Sequence, residues 1–107
     1  MVESEVSPET IVERVLSAGQ PEKIVLFGSR GRDSAQAHSD YDLLIVQPSD
    51  LPRPARSAPY YRALSDLPVE VDVVVFTPEE IRDWEHVPQA FVTTALREGT
   101  TLYERQG

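Results

Sequence analysis

The sequence predicts an α+β domain, a small mixed β sheet flanked by helices, on three observations. Three short apolar runs, Ile24 to Phe27, Tyr41 to Val46 and Val69 to Phe76, have the length and the β-branched and aromatic content of strands. Stretches with apolar residues three and four apart lie before and between them and after the last, as helices that cover a sheet require. At 107 residues there is material for one modest core, so a single layered domain over 1–107 is the economical arrangement.

Taken in order, Ser7 is an N-cap and Pro8 suits the first helical turn. Ile11, Val12, Val15 and Leu16 then form an apolar stripe that ends near Gly19. Pro21 breaks the period, and the first strand follows from Ile24 until Gly28 and Ser29 stop it. Arg30 to Ser39 is polar, a loop or one short helix, before the second strand. Pro48, Pro52, Pro54 and Pro59 predict a connector, with a short amphipathic helix from Tyr60 to Leu67. In the third strand Glu70 and Asp72 share one pleated face, and Val71, Val73 and Val75 the other. Thr77 with Pro78 and Glu80 is a capping box for the next helix. A last helix is predicted from Pro88, with Phe91, Val92, Ala95 and Leu96 on its apolar face and Gly99 at its end; Thr101 to Tyr103 add an edge strand.

Composition narrows the function. Ten Lys and Arg against 18 Asp and Glu give a formal net charge of -8, and with no basic stripe the chain is not expected to bind nucleic acid stably. No apolar run approaches the roughly 20 residues of a membrane helix, and the acidic start is unlike a secretory leader, so a cytoplasmic protein is expected. The absence of cysteine excludes disulfides, thiolate catalysis and a cysteine-ligated zinc site.

Chemistry concentrates in Gly28-Ser29-Arg30-Gly31-Arg32-Asp33, Ser39-Asp40-Tyr41-Asp42 and the later Asp72. Asp40 and Asp42 are two positions apart at a strand start, so alternation points both carboxylates to one face with backbones about 6.6 Å apart. If Asp72 lies on a neighbouring strand and faces the same way, three carboxylates offer hard oxygen donors for one or two Mg²⁺ ions. Without a cation, carboxylates crowded in this way repel, so the arrangement predicts metal dependence. Gly28, directly after a strand, lets the backbone turn and approach a phosphate, to which the Ser29 hydroxyl and neighbouring N–H groups donate. Arg30 and Arg32 add positive charge. The segment is neither a Walker motif nor a dinucleotide fingerprint. Glu70 is read as a solvated group, and His38 and His86 lack a third ligand at metal-site spacing. Tyr60 and Tyr61 pack a helix or dock a protein, and Trp84 and Phe91 are read as core or interface groups rather than a nucleobase cage.

Gly28-Ser29, ten intervening residues, then Asp40-Tyr41-Asp42, with Asp72 in Val-Glu-Val-Asp-Val-Val-Val, resemble the minimal nucleotidyltransferase family of the polymerase-beta-like nucleotidyltransferase superfamily. The resemblance runs over nearly the whole chain, with Gly31-Arg32-Asp33 standing where the family often has Ala-Arg-Gly. It implies the polymerase-beta-like fold, with Gly28, Ser29 and Arg30 on the triphosphate of ATP. Asp40, Asp42 and Asp72 would be the Mg²⁺ ligands and catalytic residues. It further implies an antitoxin in a hetero-oligomeric complex with an all-helical HEPN toxin, to whose tyrosine hydroxyl it transfers AMP. Two alternatives stand beside this: an antitoxin that neutralises by binding alone, and a nucleotidyltransferase acting on a small hydroxylated compound, which ordinarily needs a further wall around its acceptor.

Overall fold

The computed structural model describes residues 6–29 and 41–106. Among these described residues eight elements follow one another: α1 (Pro8–Ala18), β1 (Lys23–Ser29), β2 (Tyr41–Val46), α2 (Arg53–Leu64), β3 (Val71–Phe76), α3 (Pro78–Trp84), α4 (Phe91–Glu98) and β4 (Thr100–Glu104). The strands form one mixed sheet in the order β3-β2-β1-β4, with β2 and β3 parallel and the other pairs antiparallel. Among the described residues no helix is long and apolar enough to cross a membrane.

Strand alternation divides the core in two. Ile24, Tyr41, Leu43, Ile45, Val73 and Val75 point to one face and bury against Ile11 and Val15 of α1 and Tyr60 and Leu64 of α2. Val25, Leu44 and Phe76 point to the other and meet Val92 and Ala95 of α4, with Ile81 of α3 alongside. Each fully buried aliphatic side chain contributes about 1.5–3 kcal/mol, so the first cluster dominates the stability of the sheet.

The helix starts follow the local chemistry. The Ser7 side chain accepts from the Thr10 N–H at 3.3 Å. At α3 the box is complete, with the Thr77 N–H donating to Glu80 at 3.0 Å and the Glu80 N–H to the Thr77 hydroxyl at 3.1 Å. Gly99 ends α4 where the chain passes tightly over β1, because a Cβ there would stand 2.6 Å from both the Ala95 carbonyl oxygen and a Val25 methyl.

Four expectations are corrected. Gly28 and Ser29 do not stop the first strand: after an extra residue at Phe27 they continue β1, opposite Asp42 and Tyr41. A bulge changes register without ending the pairing, and ladder bonds need no side chain. The proline-rich segment is helical from Arg53, and α2 ends at Leu64 rather than Leu67. Pro54 sits in the first turn, where no N–H is needed, and Pro59 is tolerated inside the helix because tertiary anchors hold it. Tyr60 is buried, and the Arg56 guanidinium donates to the Val75 carbonyl at 3.2 Å and to both Glu80 carboxylate oxygens at 2.8 and 3.1 Å. β3 starts at Val71, leaving Glu70 before the strand, with its carbonyl accepting from the Tyr41 N–H at 3.2 Å. α4 starts at Phe91, after a turn that includes Pro88, rather than at Pro88 itself.

Candidate active site

Tyr41 determines which way β2 presents its acidic residue. Its ring is buried between the sheet and the α1–α2 layer, and its hydroxyl donates to the Val6 carbonyl at 2.8 Å. With Tyr41 and Leu43 held on that face, alternation sends Asp42 to the opposite one. Parallel pairing sets Asp42 directly beside Asp72 of β3, and antiparallel pairing sets Gly28 of β1 beside Asp42. Gly28, Asp42 and Asp72 therefore stand in one row across three adjacent strands, with neighbours about 4.8 Å apart. Asp42 is half-buried and Asp72 exposed.

The condition set on Asp72, a neighbouring strand and the same face, is thus met in the geometry. Asp40 and Arg30 lie outside the described residues, as do Arg32 and His38. Among the described residues no three His, Asp or Glu side chains gather as a metal site. Two of the expected carboxylates do stand side by side, a donor set of the hard oxygen type that Mg²⁺ takes. His86 is exposed beside Glu85, far along the chain from this row.

Tyr60 is a core residue whose burial pushes its hydroxyl pKa upward; the hydroxyl donates to Gln47. The Tyr61 hydroxyl accepts from the Val73 N–H at 2.9 Å and so satisfies a backbone donor of the edge strand β3. Hydrogen bonding to Arg56 holds the Glu80 carboxyl below its ordinary range, helped by the Thr77 N–H, and this locks α2 and α3 onto the end of β3. A cleft of about 500 Å³ is lined by Lys23, Val46, Ile81 and Glu104 among others, at the strand ends opposite Asp42 and Gly28. A smaller cleft of about 280 Å³ lies between Arg53, Phe76, Trp84, Ala90 and Val92. Sequence reading missed it, because its members come from separate elements and Arg53 falls in the stretch read as a connector.

The sequence model of the nucleotidyltransferase domain matches residues 8–97, from α1 through α4. The chain belongs to the nucleotidyltransferase domain family. The crystal structure of the toxin-antitoxin MntA-HpeT, in a form with two aspartate-to-glutamate substitutions, contains a chain with the same fold. The TM-score is 0.60 at 18% identity, over 94% of this chain and 76% of that one. No curated protein matches the sequence significantly. Among the described residues, the four helices and mixed four-stranded sheet are those of the polymerase-beta-like nucleotidyltransferase fold. For a nucleotidyltransferase domain, a glycine-serine segment ending one strand beside acidic residues on the next two is the arrangement that puts a backbone able to approach phosphate against carboxylates able to hold a cation.

Proposed function

We propose that this nucleotidyltransferase domain is an antitoxin that transfers AMP from ATP to a tyrosine hydroxyl of an all-helical HEPN toxin, with which it forms a complex. The observation that carries the reading is the lateral register of Gly28, Asp42 and Asp72 within a family whose members transfer nucleotides. The fold it shares with a chain of a toxin-antitoxin structure supports the choice of a protein acceptor. Residues 1–107 act as one domain, in the cytoplasm where ATP is available.

Asp40, Asp42 and Asp72 would hold the Mg²⁺, two ions in the fullest arrangement. When bound, the metal neutralises charge on the phosphate oxygens. Gly28 and Ser29 supply backbone and hydroxyl donors to the triphosphate, and Arg30 adds a guanidinium. Asp72, the more exposed carboxylate of the pair, is open to an incoming acceptor and takes the proton from its hydroxyl. The freed oxygen forms a bond to the α-phosphorus as the bond to the bridging oxygen breaks, and pyrophosphate leaves.

The test combines the purified chain, ATP, Mg²⁺ and a HEPN toxin, sought among the genes beside its own. The toxin should gain the mass of one or more AMP groups, and the gain should disappear with EDTA or in Asp42→Ala. Neutralisation that survives Asp42→Ala without any mass gain would make the chain a binding antitoxin. Turnover on a small hydroxylated compound by the chain alone would move the acceptor away from protein.

A further inference from the structure

We propose that the cleft formed by Arg53, Phe76, Trp84, Ala90 and Val92 receives the base of the nucleotide whose phosphates bind at Gly28, Asp42 and Asp72, an inference that rests on the nucleotide site proposed above. Position is the first reason. Asp72, Val74 and Phe76 alternate onto the same face of β3, so the Phe76 wall of the cleft belongs to the face of the sheet that carries the acidic row. Asp72 and Phe76 are four residues apart, about 13 Å along the strand, a span that an extended nucleoside triphosphate bridges.

The walls are the second reason. The Arg53 guanidinium lies 4.5 Å from the centre of the Phe76 ring and is steadied by the Glu80 carboxylate at 3.8 Å. Trp84 is 43% exposed. Its backbone is fixed between two helices, since its carbonyl accepts from the Thr93 hydroxyl at 2.8 Å and from the Val87 N–H at 2.9 Å. An indole, a guanidinium and two aliphatic side chains therefore border a space of about 280 Å³, enough for one planar heterocycle. Such groups stack on the π-face that every nucleobase offers. Apart from Arg53 the lining side chains are apolar, so phosphates are poorly served there, and the nucleotide is oriented with its base at Phe76 and its phosphates at Asp72.

Trp84 is the sole tryptophan of the chain, so its emission reports the cleft directly. Titration with Mg²⁺-ATP should quench and shift that emission, whereas Mg²⁺-tripolyphosphate, which has phosphates and no base, should bind by calorimetry and leave the emission unchanged. Trp84→Ala should weaken ATP about tenfold, within the range of base–aromatic stacking, with tripolyphosphate affinity unaltered. Trp84→Phe should restore most of the loss, and its fold can be checked by circular dichroism alongside the alanine variant. ATP that binds by calorimetry without changing Trp84 emission, or equally well to Trp84→Ala, overturns the base cleft and leaves the phosphate site standing. A folded chain that binds neither ATP nor tripolyphosphate overturns the nucleotide site, and the cleft with it.

Discussion

Replacing Arg56 by methionine tests whether the α2–α3 clamp holds the sheet end together. Methionine keeps most of the aliphatic stem and removes the guanidinium. That group is only 9% exposed in its side chain, donates to the Leu51 carbonyl at 2.8 Å and the Val75 carbonyl at 3.2 Å, and pairs with both oxygens of Glu80. Removing one partner of a buried pair costs about 3–5 kcal/mol. Glu80 keeps 26% exposure and retains Arg53 at 3.8 Å, so solvent and the second arginine recover part of that, and about 2–3 kcal/mol is expected. For a domain of this size the melting temperature should fall by about 8–20 °C. Because the Glu80 carboxyl titrates below its ordinary value in the folded state, its contribution is fully present above that value and is lost as pH falls through the folded one. Urea unfolding at about pH 7 and about pH 3 should therefore show the gap between the native chain and Arg56→Met narrowing in acid. A gap under about 1 kcal/mol at neutral pH, or one that does not change with acid, would falsify the reasoning.

Two other substitutions probe the elements around the acidic row. Tyr41→Phe removes one hydrogen bond to a backbone carbonyl and should cost about 0.5–1.5 kcal/mol, while Tyr41→Ala empties a core position and should cost about 3–5 kcal/mol; urea midpoints that coincide would mean the ring does not anchor β2. Gly99→Ala places a methyl 2.6 Å from the Ala95 carbonyl oxygen and 2.9 Å from that of Leu26, backbone atoms that cannot move aside cheaply, so a loss of about 1–3 kcal/mol is expected in the same assay, and no loss would show that the α4–β4 junction is slack.

What the sequence reveals here is what short-range chemistry dictates. Ser7, Thr77, Pro78 and Glu80 act within one helical turn, and the structure repeats the expected caps almost atom for atom. Alternation along Tyr41–Val46 is equally local, which is why the face of Asp42 was readable. The misreadings involve partners far away in sequence. Gly28 and Ser29 stay in β1 because β2 pairs with them across a bulge, and Arg53–Pro59 is helical because Glu80, Val75 and the core hold it. Proline count argues against that helix by propensity alone, and propensity yields to anchoring. The cleft at Trp84 was the least readable feature, since it exists only where α2, β3, α3 and the start of α4 converge.

The juxtaposition of Asp42 and Asp72 is imposed by the apolar pattern and not by the carboxylates. Like charges directly opposite on paired strands disfavour the pairing. Slipping β3 by one residue would relieve them, but it would turn Val73 and Val75 away from the α1–α2 layer, where each contributes about 1.5–3 kcal/mol by burial. The register is also held at both ends, by the Tyr41 N–H on the Glu70 carbonyl at 3.2 Å and the Gln47 N–H on the Phe76 carbonyl at 2.9 Å. Core burial therefore sets the register and keeps two acidic residues abreast. Two carboxylates held abreast are a hard-oxygen donor pair for a divalent cation, so divalent metal should raise the stability of the native chain more than that of Asp42→Asn.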